Sequence, residues 1–343
     1  MTRQEAGCRG PGRSTMRRLV AVAAVAVAAG ASARMQEPQV FRSGANAVAV
    51  DVSVRDRNRR IITGLTAVDF TITDNGLAQE IASVSFGRLP IDVTIALDVS
   101  YSVSGLMLER LRTGVVQLMG DLTPQDRLKL MLFNSRVTRT VDFTTDAAAV
   151  EAAIRSAVAG GGTSLLDTIS VSLLTPAPPD RRQLLVVFCD GSDSTSTTTP
   201  AVLTSIALRS HATIAMVLPG TGQVRTSTGV NLPAYYGQST NTILSPINTL
   251  SQDRAASSLS FLGPPRPLDG LFVALSAATG GTIVPAPANA NLSAVFRSVL
   301  SDFRSAYVLH YNVRGVDPGG YHTLEVKVNR KDVEVTARRG YWY

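Results

Sequence analysis

The stretch Ile91-Asp92-Val93-Thr94-Ile95-Ala96-Leu97-Asp98-Val99-Ser100-Tyr101-Ser102 decides the fold. Val93 to Leu97 is a continuous apolar run of strand length, and Leu108, Leu111, Val115 and Leu118 then recur at helical spacing. A strand apolar on both faces, followed by an amphipathic helix, is the repeating unit of a parallel sheet covered on both sides. The pattern continues outward. Apolar strands are expected at Leu128–Phe133, Leu184–Cys189, Thr213–Leu218 and Gly281–Val284, alternating with helical segments near 146–158, 164–174, 200–210, 269–279 and 290–304. The expected class is therefore α/β, a doubly wound, mostly parallel sheet. Such a sheet carries its ligand site at the carboxyl ends of its strands, where strand order reverses.

The two flanks read differently. From Asn46 to Phe86 the period is two: Val48, Val50, Val52 and Val54 share one face, Phe70 and Ile72 another, and Asn75-Gly76 is a two-residue hairpin signal. Three short strands fit this stretch. At the other end Tyr307, Leu309, Tyr311 and Val313 alternate, Asp317-Pro318-Gly319-Gly320 turns, and Leu324, Val326 and Val328 alternate before Val333-Val335. Each set is too small to bury a core alone. The expectation is one β-sandwich built from both, with the middle domain inserted between them. The division is a leader at 1–33, N-terminal strands at 34–88, the α/β domain at 89–305 and C-terminal strands at 306–343.

At 45% hydrophobic and 17% charged residues, the 343-residue chain is a folded protein rather than a disordered polyelectrolyte. Its formal charge is +7, but Arg3, Arg9, Arg13, Arg17 and Arg18 against Glu5 place +4 of this in residues 1–33. The remaining +3 gives no support to nucleic-acid binding. Met16-Arg17-Arg18, the apolar run Leu19–Ala29 and the small-residue pattern Ala31-Ser32-Ala33 read as a secretory signal peptide cut after Ala33. The run is shorter than the ~20 residues of a spanning helix, so no stable membrane span is expected and the product is exported, to the periplasm or beyond. Of the two cysteines, Cys8 leaves with the leader, and Cys189 closes an apolar strand as a buried thiol. Residues 223–268 hold only Arg225, Asp253, Arg254 and Arg266 as charges and are otherwise rich in Ser, Thr, Asn, Pro and Gly, which reads as a polar, mobile insertion.

The chemistry lies in the loops at the carboxyl edge. Asp98-Val99-Ser100-Tyr101-Ser102 is a D-x-S-x-S, a weak pattern alone, since Asp190-Gly191-Ser192-Asp193-Ser194 repeats it. Two further loops should converge there: Gly160-Gly161-Gly162-Thr163-Ser164, opening a helix, and Phe188-Cys189-Asp190-Gly191, closing a strand. Carboxylates and hydroxyls without His or Cys form a hard-oxygen site that suits Mg²⁺ or Mn²⁺.

In these residues the sequence resembles the von Willebrand factor type A (VWA) domain, whose metal-ion-dependent adhesion site (MIDAS) uses D-x-S-x-S, a loop threonine and a later aspartate. The matching positions are Asp98, Ser100, Ser102, Thr163 and Asp190, over a resemblance that spans about Ile91 to Arg304. The flanks, Gly64-Leu65-Thr66 through Asp74-Asn75-Gly76 and Tyr307-Val308-Leu309-His310-Tyr311 through Gly340-Tyr341, resemble VWFA-related proteins of Acidobacteria-type bacteria. The resemblance implies a non-enzymatic module whose metal keeps one position for an Asp or Glu of a protein partner. Two carboxylates and three hydroxyls leave a divalent ion short of ligands, which agrees with that role.

Plainer readings stand beside it. Ser102, Ser104 or Thr163 caps a following helix; Asp167 and Asp193 orient neighbours; Tyr101 packs or rims the site; His211, His310 and His322 pack or lie at the surface; and Arg338-Arg339 is a solvated charge pair. Two other functions compete. A Mg²⁺-dependent phosphohydrolase would use Asp98 as nucleophile but needs an acid two residues on, where Ser100 stands; a scaffold would carry a vestigial site.

Overall fold

The computed structural model describes residues 47–343 except 177, 179, 221–223, 226–259, 262–267 and 288. The leader expected at 1–33 and most of the insertion at 223–268 lie outside the described residues.

The chain enters through β1 (Ala47–Asp56), β2 (Phe70–Asp74), β3 (Leu77–Gln79) and β4 (Ile81–Phe86). This is one strand more than the three expected, because Gln79-Glu80-Ile81 breaks a single alternation into two short strands. The Asn75-Gly76 signal forms the β2–β3 hairpin, with positive φ of 47° and 82° as a two-residue turn of that kind requires. The α/β core follows: β5 (Ile91–Asp98), α1 (Leu106–Asp121), β6 (Arg127–Phe133), β7 (Val137–Thr144), α2 (Ala147–Arg155), α3 (Leu165–Leu173), β8 (Arg182–Phe188), α4 (Pro200–Arg209) and β9 (Thr213–Gly220). A two-residue pair, β10 (Val224–Arg225) with β11 (Ser260–Phe261), lies within the polar insertion. Then come α5 (Asp269–Thr279), β12 (Thr282–Pro287) and α6 (Leu292–Arg304). The chain ends in β13 (Tyr307–Asn312), β14 (Tyr321–Val328), β15 (Val333–Ala337) and β16 (Gly340–Trp342).

The central sheet has the order β12-β9-β8-β5-β6-β7, parallel throughout except for the antiparallel edge strand β7. Every residue of β5 is buried, as its apolar run requires. Val93, Ile95 and Leu97 point into one layer with α1, α2 and α6; Ala96 points into the other with α3, α4 and α5. The two layers are therefore separated by the strand's own alternation.

The outer strands form two four-stranded sheets, β15-β1-β13-β4 and β16-β14-β2-β3, each mixing strands from both ends of the chain. Val50, Val52 and Val54 meet Phe70, Ile72, Leu309, Tyr311 and Leu324 in one core. Within it Asp74 is fully buried and fully satisfied: Tyr311 Oη and Tyr341 Oη each donate to Oδ2 at 2.8 Å, and His322 Nδ1 lies 2.8 Å from Oδ1. His322 thus packs in a core.

Arg338 is not part of a solvated pair. It is buried, donating from Nη2 to the Ser210 carbonyl at 2.7 Å and from Nε to the Gly340 carbonyl at 3.1 Å. The physical reason is that its guanidinium satisfies buried carbonyls at the end of α4 and the start of β16.

Candidate metal centre

Strand order reverses between β5 and β8: the chain leaves β5 for β6 on one side and later returns to β8 on the other. Asp98 is the last residue of β5, and Asp190 stands two residues beyond β8, so both carboxylates come to this crevice.

Backbone hydrogen bonds lock the converging loops together. The Val99 N–H donates to the Phe133 carbonyl at 2.8 Å, Gly160 N–H to Val99 at 2.9 Å and Tyr101 N–H to Gly161 at 3.3 Å. Ser164 N–H reaches the Asn134 carbonyl at 2.6 Å. Thr163 is held from both sides: its N–H donates to Ser194 Oγ at 2.9 Å, and its carbonyl accepts from the N–H groups of Ser194 and Thr195 at 2.8 and 3.1 Å. The approach is so close that a Cβ on Gly162 would lie 2.7 Å from Ser194 Oγ, which explains a glycine before the threonine.

The five residues differ in exposure. Asp98, Ser100 and Thr163 are buried, Asp190 is half-buried and Ser102 is exposed, so the group runs from the sheet edge outward. Asp98 Oδ1 accepts the Ser100 N–H at 2.8 Å, and Ser100 Oγ lies 3.0 Å from Ser102 Oγ. Asp190 makes the same local turn, its Oδ1 accepting the Ser192 N–H at 2.9 Å. The repeated D-x-S is therefore a repeated backbone device that turns each carboxylate off its strand. Asp98 Oδ2 is buried without a hydrogen-bond partner.

Burial pushes the Asp98 carboxyl up to about 6, and the neighbouring charge of Asp190 adds to this, against the lowering effect of hydrogen bonds from Ser100. Two carboxylates that disfavour one another's charge, beside hydroxyls that are both donors and acceptors, form a site that a divalent cation would relieve. Among the described residues no three His, Cys, Asp or Glu side chains gather at one point, so any ligand set here is mixed carboxylate and hydroxyl. The orphaned Oδ2 and this hard-oxygen chemistry fit Mg²⁺ or Mn²⁺.

Ser102, Ser104 and Thr163 do not cap the α-helices that follow them. Gly105 occupies the N-cap of α1 and Ser164 that of α3, neither with a side-chain cap bond. Asp193 and Asp167 do orient neighbours. Asp193 Oδ2 accepts the Leu166 N–H at 2.9 Å and Ser196 Oγ at 2.6 Å, while Asp167 accepts the N–H groups of Thr197 and Thr198 at 3.0 and 2.7 Å. These bonds fasten the loop after β8 to the start of α3. Nothing in sequence spacing alone distinguishes such clasps from ligands, since both use Asp at a loop. Tyr101 is 74% exposed and stands beside the site.

No curated protein matches the chain. Among solved structures, the conserved hypothetical protein BatB from Bacteroides thetaiotaomicron is similar at 16% identity, over 62% of this chain and 98% of that one, with a TM-score of 0.41. Proximal thread matrix protein 1 from the mussel byssus, with a zinc-occupied MIDAS motif, is 12% identical over 67% of this chain and 49% of its own, with a TM-score of 0.41. The PilB minor pilin from Streptococcus sanguinis is 12% identical over 63% and 62%, with a TM-score of 0.37. The family whose pattern the sequence itself matches is the von Willebrand factor type A domain, at residues 93–192, and the chain therefore carries a VWA domain.

Proposed function

We propose that the protein is an exported binding module in which a divalent cation, held by Asp98, Ser100, Ser102, Thr163 and Asp190, takes up a carboxylate from a protein partner. VWA domains are typically binding and adhesion modules, which supports the class. The single observation that carries the metal reading is Asp98 Oδ2, buried and without a donor at the meeting point of three interlocked loops. A buried carboxylate oxygen without a partner is costly, and a cation relieves that cost more fully than any neutral donor.

Bound Mg²⁺ or Mn²⁺ would supply a hard electrophilic position for one further oxygen ligand. The chain's own residues do the rest. Asp98 and Asp190 provide the anionic charge; Ser100, Ser102 and Thr163 provide neutral oxygens; Asp167 and Asp193 hold the loops in register. Position 100, where a phosphohydrolase needs its acid, is a serine bonded to Ser102, and this favours binding over catalysis. Export rests on the leader-like residues 1–33, and among the described residues no helix is long and apolar enough to cross a membrane.

The test is a pull-down from the native cell envelope with the wild type and Asp98→Ala, in Mg²⁺ and in chelator. A partner captured only by the wild type in metal supports the reading. Capture that survives both chelation and Asp98→Ala would overturn it.

A further inference from the structure

At the opposite edge of the parallel sheet from Asp98 lies a cavity of about 240 Å³, far more than the roughly 15 Å³ one water needs. It is bounded by the starts of β8, β9 and β12, by α6, and by β1 and β15 of the neighbouring antiparallel sheet. Its walls combine apolar side chains, Leu184, Ala215, Val299 and Phe303, with ionic ones.

Arg182 dominates the ionic side. It is 5% exposed, stacks its guanidinium 3.9 Å from the centre of the Phe303 ring, and donates from Nε to Asp51 Oδ1 at 2.7 Å. Its Nη2 is buried with no hydrogen-bond partner. Pinned by its face and by Nε, the guanidinium keeps the Nη end, which grips carboxylates, without an acceptor on Nη2. Nothing in the candidate metal centre uses this residue.

We propose that this cavity binds a small monocarboxylate with an apolar body, anchored by Arg182. The unpaired group is a charged donor, and a carboxylate makes the strongest hydrogen bond to it. Phe303, Val299 and Leu184 provide an apolar wall for the body of the ligand. Charge balance sets the limit. The lining is balanced, with Arg55, Arg59 and Arg182 against Asp51, Asp302 and Glu334, so the single charge of a monocarboxylate must rest on its hydrogen bond to Arg182, and each further charge of an anion such as phosphate would be uncompensated.

The experiment uses the full chain and hexanoate and benzoate as probes, compared with hexanamide, benzamide and inorganic phosphate, read by ligand-observed NMR and calorimetry. The acids should bind at least about tenfold more tightly than the matched amides, and phosphate should not compete. Thr336→Trp, at an exposed position lining the cavity, should abolish acid binding without disturbing a core, and Arg182→Lys should weaken it at least about tenfold. Should Arg182→Lys fail to fold, Thr336→Trp decides alone. Binding must persist in chelator, because loss with the metal would put the acid at Asp98 instead. Equal affinity for acids and amides, unchanged binding to Thr336→Trp, or no binding of any acid would each overturn the proposal.

Discussion

The two oxygens of Asp98 are used unequally: Oδ1 accepts the Ser100 N–H at 2.8 Å, and Oδ2, equally buried, meets no donor. A carboxylate held this way is positioned by its neighbour yet only half satisfied. Its proton affinity, the stability of the metal-free protein and its appetite for a cation all follow from that asymmetry.

Asp98 should destabilise the metal-free fold at neutral pH. Its folded pKa of about 6 lies above the unfolded 3.8, so its favourable contribution is complete below pH 3.8 and is lost as pH rises through 6. In chelator, Asp98→Asn should therefore be more stable than wild type at pH 7.5, by up to about 3 kcal/mol, with the difference vanishing near pH 4. Denaturant unfolding of both proteins at the two pH values checks this. A variant less stable than wild type at pH 7.5 would count against it.

Cation affinity should carry the same proton. Below pH 6 the cation must displace it from Asp98, so apparent Mg²⁺ affinity should fall toward about tenfold per pH unit, and above pH 7 it should level off. Titrations between pH 5 and 8 measure the slope. A flat profile would mean that Asp98 is not a direct ligand.

Asp193→Ala tests the clasp separately from the ligands. Losing its bonds to the Leu166 N–H and to Ser196 should cost about 1–3 kcal/mol of stability and loosen the loop that holds Thr163. Mg²⁺ should bind more weakly, yet still bind. Loss as complete as that of Asp98→Ala would make Asp193 a ligand.

Legibility from sequence followed burial. The β5 run, the Leu108, Leu111, Val115 and Leu118 face of α1, and the Asn75-Gly76 hairpin were readable because each is dictated by a local rule: two-sided burial, a 3.6-residue period, two positive φ angles. The edge strand β7 was not: Val137, Val141 and Phe143 alternate with Thr138, Thr140 and Asp142, but Arg139 interrupts the apolar face, no residue of the strand is fully buried, and its pairing with β6 shifts register. At the candidate site the ligand types and their loops were readable, whereas the interlocking of those loops was not. Thr163 with Ser194 and Asp193 with Leu166 are contacts between segments about 30 residues apart, which no local spacing encodes.

Arg338 makes the same point from the opposite direction, since adjacent arginines near a chain end look solvated. Arg338→Ala should cost about 2–4 kcal/mol by leaving the buried carbonyls of Ser210 and Gly340 unpaired, whereas a solvated arginine would cost under about 0.5. Thermal or urea unfolding of the single variant separates the two outcomes.

Calorimetric titration of Mg²⁺ and Mn²⁺ into the metal-free wild type and Asp98→Ala at pH 7.5 decides whether Asp98 anchors a cation. One divalent cation should bind per wild-type chain and none to a folded Asp98→Ala. A wild type that binds neither cation, or an Asp98→Ala variant that binds as tightly as the wild type, would contradict that role for Asp98.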